Sequence, residues 1–390
     1  MLSQPNTVDY ANYTYNESID RGVLAISDVR YESAYKYINY MNVLLNKLLD
    51  AQGDEVKKKQ LVAEAHVIRA WLHFLLVNIY AKQYDAGTAD KEGGIPYVED
   101  VDVSQEKTKL TLEETYRHIL ADLADDIIAE LPDESNNVER ADKAFAYAAK
   151  AYVLMQMKRY ADAIPYAQAS LKINNTIDAR ETLVQSGAWI ITQNVANNLL
   201  YIGGSGRVSL TFDVISKETW EKFEDGDYVV NYDAAGGWST FMGPMMSGIE
   251  GTALYQGWTL KGNVYGITGD HVYYVLAECL IRTGKIKEGL QYVDRVRRHR
   301  VENYKPFAQD NLNEMQTMAL LQKAKWVECI CSFENFFDSK RWNSEPAYAK
   351  TITRALGSYG TFSIKPDSKL WVLPFPLNAT RKNPSLTQNY

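Results

Sequence analysis

The chain has 390 residues, 46% of them hydrophobic and 23% charged, so it can bury a core without disulfide support. Lys and Arg number 42 against 49 Asp and Glu, a net charge of −7, and the basic runs are short, which argues against nucleic acid as a ligand. Three cysteines indicate neither a disulfide framework nor a zinc site, and no apolar run reaches the about 18 to 20 residues of a membrane span.

Helical periodicity follows a polar N-terminal segment. Residues 1–25 are rich in Asn, Tyr, Ser and Thr and indicate loop, whereas residues 28–49 have an apolar helical face. A clearer stripe from Leu61 to Ile79 recurs at steps of three and four, which predicts an amphipathic helix. The sequence Gly93-Gly94-Ile95-Pro96 then predicts a turn followed by extended chain.

The next helices have clear ends. Thr111 and Glu114 form a capping-box pattern, which predicts a helix that runs to Leu131, before Pro132. Helices are predicted over 142–157 and 160–173, and their short joint makes them an antiparallel hairpin.

This hairpin has a tetratricopeptide-like spacing of small and large residues, and the spacing returns over 273–290. Small residues allow two helices to approach closely, and they stand at Ala151, Ala163, Ala277 and Gly289. The two matches are far apart, so the sequence predicts helical hairpins with a long insertion rather than a continuous solenoid.

The insertion, residues 174–269, differs in composition from the helices. Within 220–269, 10 of 50 residues are Gly and 9 are aromatic. Short strands are predicted near 199–202, 208–212 and 228–231, and a last helix over 313–338. We therefore predict a mainly α protein, one domain over 1–390, with helical hairpins at 28–173, a loop-rich ligand region with short strands at 174–269, C-terminal helices at 270–340 and an extended tail at 341–390.

The sequence contains no motif typical of catalysis. None of the five histidines forms a zinc motif, so they are interpreted as packing or surface residues. Gly203-Gly204-Ser205-Gly206-Arg207 lacks the last Gly of a nucleophile elbow and the ending of a phosphate loop. The carboxylates at 122–126 are interpreted as a solvated helix face, and those at 224–227 miss the EF-hand calcium pattern. No catalytic residue, metal ligand or cofactor is predicted.

The aromatic residues of the insertion have neither helical nor alternating spacing. Rings on loops can form flat platforms for sugar C–H groups or apolar side chains, with Tyr hydroxyls and Asn amides at their edges. The alternative is that most of these rings pack the loops onto the helices. The sequence leaves both interpretations open.

Several segments in chain order resemble the SusD/RagB family of outer-membrane nutrient-binding lipoproteins. Residues 64–80 are similar to its E-A-x-x-x-R-A-x-x-x-F helix ending in Tyr, and residues 94–98 to the G-x-P stretch after it. Residues 111–132 resemble the next family helix. Glu328 with Phe337-Asp338 and Arg341-Trp342, then residues 373–376 and 383–389, match its closing blocks. The chain departs from the family pattern at Ser332, Phe333 and Asn335.

The resemblance implies a non-enzymatic, surface-exposed outer-membrane lipoprotein that captures a nutrient, most often an oligosaccharide, and delivers it to a SusC-like TonB-dependent transporter. No cofactor and no nucleic-acid partner is implied. Family precursors carry a signal peptide and a lipidated Cys; both are taken to have been removed here, so membrane contact is expected only through that absent anchor.

By position in the family, the ligand-binding residues are expected in two groups. Asn12, Tyr13 and Tyr15 come from the N-terminal loop, and Tyr232, Trp238, Tyr255 and Trp258 from the insertion. Two other functions stay open. One is a peptide- or protein-binding helical-repeat protein, including the family's peptide-uptake branch. The other is a helical glycosidase, which needs two carboxylates across an aromatic cleft.

Overall fold

The computed structural model describes residues 4–48, 50–102, 104–185, 196–203, 214–230, 238–255, 263–309, 311–330 and 332–390. Its first half is helical: α1 (Val8–Tyr13), α2 (Arg21–Leu24), α3 (Val29–Leu48), α4 (Glu55–Tyr80), α5 (Leu112–Asp122), α6 (Asp125–Ala129), α7 (Lys143–Gln156), α8 (Tyr160–Ile173) and α9 (Arg180–Gln185). The prediction of loop for residues 1–25 is wrong in part, because the polar side chains of Thr7 and Asp20 cap the short helices α1 and α2.

Short strands and further helices form the second half: β1 (Asn198–Leu200), β2 (Val214–Ile215), α10 (Lys217–Trp220), β3 (Trp238–Ser239), α11 (Met242–Ser247), β4 (Ala253–Tyr255), β5 (Ile267–Thr268), α12 (Gly269–Arg282), α13 (Ile286–Arg297), α14 (Glu314–Glu328), α15 (Glu334–Asn343), β6 (Ile352–Ala355), β7 (Thr361–Ile364) and α16 (Leu377–Thr380).

Helix α4 is central to the core. It begins after Asp54, whose side chain accepts hydrogen bonds from the backbone N–H groups of Val56 and Lys57. It packs against α3, α5, α6 and α7. Among the described residues it is the one helix long and apolar enough to cross a membrane, but 78% of its apolar window is buried inside the protein. Burial by neighbouring helices therefore accounts for its composition.

Both predicted helical hairpins, α7–α8 and α12–α13, are present, and α8 packs against α12. Their small residues Ala151, Ala163, Ala277 and Gly289 are buried. A Cβ added at Gly289 would lie 2.6 Å from the carbonyl oxygen of Ala277, so only glycine fits there. Gly284, in the joint between α12 and α13, has φ +85°, a conformation that glycine adopts without strain.

Several element predictions are wrong in detail. The helix predicted over 111–131 is two helices, α5 and α6, because the chain turns at Leu123 and buries both Leu123 and Ile128. The helix predicted over 313–338 is also divided, into α14 and α15. Residues 228–230 form turns rather than a strand, and the strand predicted at 208–212 lies outside the described residues. The predicted extended tail contains the β6–β7 hairpin.

The described part of the insertion forms two small antiparallel sheets. Strand β1 pairs with β5, and β4 lies between β2 and β3. A buried ion-pair cluster connects the insertion to the C-terminal helices: Arg300 donates hydrogen bonds to Glu328 at 2.9 Å and to Asp270 at 2.7 Å, and Arg180 donates to Glu328 at 2.8 Å. Because each of these carboxylates faces a guanidinium, the cost of burying them is offset.

The two ends of the chain lie together. Arg21, which is buried, donates hydrogen bonds at 2.9 Å to the backbone carbonyls of Lys369 and Val372. The N–H of Leu377 donates to the carbonyl of Ala25 at 2.7 Å. The N-terminal segment is therefore fixed against the C-terminal region.

Candidate functional site

An open cleft of about 1160 Å³ lies where sequence-distant elements meet. One wall comes from the N-terminal segment, with Asn12 and Tyr15, and another from α10. Helices α14 and α15 form the floor, and residues 350–354, which include the first half of the β6–β7 hairpin, close the remaining side. This volume lies just above the roughly 300 to 1,000 Å³ of small-molecule sites, so the cleft has room for a small ligand.

One face of α14 supplies much of the floor. Ala319, Gln322, Lys323 and Trp326 line the cleft, and their spacings of three and four residues place them on the same side of a helix. The opposite side of α14 is core, with Met318, Leu321 and Lys325 buried. Helical periodicity thus separates a ligand-facing row from a packing row.

Trp326 is the half-buried aromatic platform of the cleft. Its indole Nε1 lies 3.3 Å from Thr219 Oγ1, to which it donates a hydrogen bond, and this contact fixes the ring against α10. The ammonium of Lys222 lies 5.4 Å from the ring centroid, within the range of a cation–π contact. The ring is therefore held in position before any ligand arrives.

Arg354 of β6 joins the hairpin to the N-terminal segment. Its guanidinium lies 4.7 Å from the ring centroid of Tyr13 and 4.5 Å from that of Tyr15, and it donates a hydrogen bond to the carbonyl of Tyr13. Tyr15 has φ 51°, which costs a non-glycine residue about 1 to 2 kcal/mol. The Arg354 contacts help to hold this conformation, which brings the Tyr15 ring to the cleft.

Basic side chains outnumber acidic ones along the cleft. The pKa of Lys222 is lowered, first by burial and then by the neighbouring Lys350 ammonium. Lys222 donates to the backbone carbonyl of Glu218, and Lys350 donates to Gln322 Oε1 at 2.8 Å. The cleft thus combines apolar rings, amide and hydroxyl groups, and cations.

The structure brings only part of the predicted site together. Asn12 and Tyr15 line the cleft, and Tyr13 lies next to it through Arg354. Trp238 requires a correction: its side chain is 2% exposed, because β3 pairs with β4 and carries this ring into the interior. Tyr255 lies in β4, opposite Trp238, but its side chain is outside the described part of the structure. Tyr232 and Trp258 lie outside the described residues altogether.

Sequence reasoning missed Trp326, Lys222, Lys323, Lys350 and Arg354. One signal was present in the helix predicted over 313–338. Trp326 does not share the helix face of Met318, Leu321 and Lys325, whose side chains are buried in the core. The other residues carry no local pattern, because the cleft forms only when segments far apart in sequence meet.

Two family profiles match the chain. One, described as "Starch-binding associating with outer membrane", covers residues 6–155, and the other, described as "SusD family", covers residues 271–390. The chain belongs to the SusD/RagB family. No curated protein sequence matches this SusD-family chain.

Solved structures of SusD-like proteins share this fold. A SusD superfamily protein from Bacteroides fragilis has a TM-score of 0.74 at 18% identity, with 97% of this chain and 88% of that chain covered. Surface glycan-binding protein A from Bacteroides uniformis has a TM-score of 0.74 at 16% identity, with the same coverage. A SusD-like carbohydrate-binding protein from Bacteroides vulgatus has a TM-score of 0.73 at 13% identity, covering 97% and 87%.

The charged residues of the SusD-like motifs hold the fold rather than the cleft, whereas the motif residues Phe337 and Trp342 line the cleft. Glu64 accepts a hydrogen bond at 2.5 Å from Arg140 Nε, and Arg69 donates to Asp122 at 2.7 and 2.8 Å. Arg341 pairs with Asp338 at 2.7 Å and with the buried Glu278. The Arg69–Asp122 and Arg341–Glu278 pairs connect different helices, and the Glu64–Arg140 pair connects α4 to the segment before α7, so the charged motif residues have structural roles.

One carboxylate of the cluster at 122–126 needs correction, whereas Asp125 and Asp126 are exposed as interpreted. Asp122 is not solvated but buried, and although burial raises its pKa, hydrogen bonds from His66 and Arg69 hold that pKa at about 2. Glu224 accepts two hydrogen bonds from Arg297, at 2.8 and 2.6 Å, and Asp227 is buried. Neither of these two carboxylate clusters, 122–126 and 224–227, lines the cleft.

One buried group among the described residues has ligand types suited to a metal ion: His271, Cys329 and Glu334. The Glu334 carboxylate already contacts two nitrogens, His271 Nδ1 at 2.5 Å and the Lys325 ammonium at 3.1 Å. Burial raises the pKa of the Cys329 thiol to about 12, so this thiol is protonated at neutral pH. These contacts fit an ion pair in the core better than a metal centre.

Proposed function

We propose that this protein captures an oligosaccharide in the cleft, releases it chemically unchanged, and passes it to a SusC-like TonB-dependent transporter. The observation that carries this proposal is the half-buried indole of Trp326 in an open cleft, beside hydroxyl, amide and charged groups. A sugar ring has apolar C–H groups on its faces and hydroxyls at its edges, and such a surface matches both.

The charges of the cleft support binding without catalysis. A glycosidase places two carboxylates on opposite sides of the bond that it cleaves. The acidic residues of the cleft are Glu218 and Glu221, three positions apart around α10, so they lie on the same wall. Glu221 also pairs with Lys217 at 3.3 Å. This arrangement is suited to polar contacts rather than to acid–base cleavage.

Transfer to a transporter and attachment to the outer membrane through a lipid are part of the same proposal. They rest on membership of the SusD/RagB family. The profile that matches residues 6–155 is described as "Starch-binding associating with outer membrane". Co-purification of the full chain with a transporter of its own organism, from detergent-solubilised outer membranes, tests this part.

A glycan array followed by calorimetry tests the binding. We expect at least one oligosaccharide to bind, and Trp326→Ala to weaken its affinity at least about fivefold, because loss of a stacked ring costs about 1 kcal/mol or more. Tyr37→Ala is the matched control: Tyr37 is 52% exposed on α3 and does not line the cleft. Equal effects of the two substitutions, or turnover of the bound glycan, would contradict the proposal.

A peptide is the second candidate ligand because β6 lines the cleft. In the described residues β6 pairs only with β7, so its other edge has unpaired backbone groups that an extended peptide could use. A peptide library screened beside the glycan array distinguishes the two. Peptide binding that competes at the cleft, with no oligosaccharide bound, would replace the first proposal with this one.

A further inference from the structure

The cleft has a charge opposite to that of the whole chain. Its lining contains five basic side chains, Arg30, Lys222, Lys323, Lys350 and Arg354, against two acidic ones, although the net charge of the protein is −7. Basic residues that occur together on an acidic protein need an explanation, because like charges in one cleft repel each other.

Part of this charge is already neutralised. Arg30 pairs with Asp28 at 2.9 Å, and the acidic Glu221 pairs with Lys217. Four cations remain, three lysines and Arg354, and none of them forms an ion pair with a carboxylate of the described residues. Their contacts are with neutral groups: a backbone carbonyl for Lys222, an amide oxygen for Lys350, and aromatic rings for Arg354.

Of the two acidic residues that line the cleft, only Glu218 is left to offset the charge of these four cations, because Glu221 pairs with Lys217. Its Oε2 atom is buried and accepts no hydrogen bond from a described residue. Its charge and that of Glu221 favour the protonated form of Lys222, whereas Lys350 and Lys323 disfavour it. One carboxylate against four cations leaves a positive cleft.

The cations are grouped around the aromatic platform. Lys222 lies 5.4 Å from the ring centroid of Trp326, and Lys323 stands three positions before Trp326 on the cleft face of α14. Lys350 is tied to Gln322 of the same face. A sugar ring stacked on Trp326 would therefore place its ring substituents among ammonium groups.

We infer that the cleft takes an oligosaccharide that carries anionic groups, carboxylate or sulfate, with Trp326 stacking on a sugar ring and Lys222, Lys323 and Lys350 contacting the anions. This inference rests on the proposed function and names its class of ligand. An anion in this position would replace the repulsion among the lysines with charge-assisted hydrogen bonds.

Calorimetry with three oligosaccharide classes of matched length tests the inference: oligogalacturonides for carboxylate, chondroitin sulfate fragments for sulfate, and maltooligosaccharides as neutral sugars. We expect an anionic class to bind at least about tenfold more tightly than the neutral one, and its affinity to fall several-fold when the salt concentration rises from about 0.05 M to 0.3 M. Affinity for a neutral sugar has no such salt dependence.

Substitutions test whether the cleft lysines are the cause of the preference for anionic oligosaccharides. In Lys222→Met/Lys350→Met we expect the affinity for the anionic class to fall at least about tenfold, with the melting temperature unchanged. Lys57→Met/Lys59→Met removes the same charge from exposed positions of α4 outside the cleft and should leave the affinity unchanged.

Tighter binding of the neutral class, with no effect of the cleft lysines, would overturn the inference and leave the proposed function standing. Binding of acidic peptides, with no oligosaccharide bound on the array or in any of the three classes, would overturn both.

Discussion

Helix α14 carries two lysines that serve different regions of the molecule. Lys325 is 0% exposed and contacts Asp338 at 2.6 Å and Glu334 at 3.1 Å, within a buried ion cluster that also includes Arg341 and Glu278. Lys323, two residues away, is exposed in the cleft and pairs with no described carboxylate. The same residue type supports the fold on one face of the helix and is available to a ligand on the other.

The difference has an energetic meaning. A buried charge is stable only with its partner, so removal of one member leaves the other uncompensated. A cleft charge without a partner in the protein contributes little to stability, and its removal affects mainly what binds. Substitutions in the two regions should therefore separate stability from binding.

The largest expected effect is on the buried cluster. Arg341→Met leaves the fully buried Glu278 without its guanidinium, and we expect the free energy of unfolding to fall by about 3 to 5 kcal/mol, measured by denaturant titration with circular dichroism. Arg159→Met is the control, since its pair with Asp162 is about half exposed and should contribute less than about 1 kcal/mol. Similar losses in both variants would remove the contrast between buried and exposed charge.

A smaller effect concerns pH and the buried Asp227, which is 4% exposed. Burial raises its pKa to about 7, while Arg180 and Arg300 act in the opposite direction and Glu328 adds to the rise. The folded-state pKa lies above the unfolded value of about 3.9, so at pH values between the two the folded protein binds more protons than the unfolded chain. Its free energy of unfolding therefore falls as the pH rises from about 4 to 7.

Asp227→Asn removes this titration and keeps an oxygen that can accept the hydrogen bond from the Val229 N–H. When the pH rises from 5 to 8, we expect the free energy of unfolding of the variant to increase relative to that of the natural sequence by about 1 to 4 kcal/mol, as measured by denaturant titration. Asp225→Asn, at an exposed neighbouring position, should show a constant difference. Parallel stability curves for Asp227→Asn and the natural sequence would mean that Asp227 titrates normally.

The smallest effect on stability is expected in the cleft. Lys323→Met should change the free energy of unfolding by less than about 0.5 kcal/mol, because the side chain is exposed and forms no ion pair with a described residue. The same variant should weaken binding of an anionic oligosaccharide several-fold, as measured by calorimetry. A large loss of stability with unchanged binding would place Lys323 with the structural charges instead.

Local patterns in the sequence predicted much of the helical body. The stripe from Leu61 to Ile79 lies within α4, and the Thr111–Glu114 capping box is present with both of its hydrogen bonds. Such features depend on neighbours within a few residues, so a single sequence contains them. Asp122 was misjudged because its partner, Arg69, lies 53 residues earlier, beyond the range of any periodicity.

The cleft was less predictable for the same reason. Tyr15, Trp326 and Arg354 come from three separate parts of the chain and meet only through tertiary packing. Composition drew attention to the aromatic residues of the insertion, yet Trp238 is buried in the insertion's own small sheet. Exposure depends on what covers a ring, and the sequence around the ring does not contain that information.

The contact between the two chain ends has a consequence for biosynthesis. Arg21 donates to a carbonyl 348 residues later, and Tyr15 reaches the cleft beside Arg354. During translation the N-terminal segment emerges first but has no docking surface until the last strands and turns are made. Pairings over such long sequence separations form slowly, so the helical body should fold early and the capture site should be completed only at the end of folding.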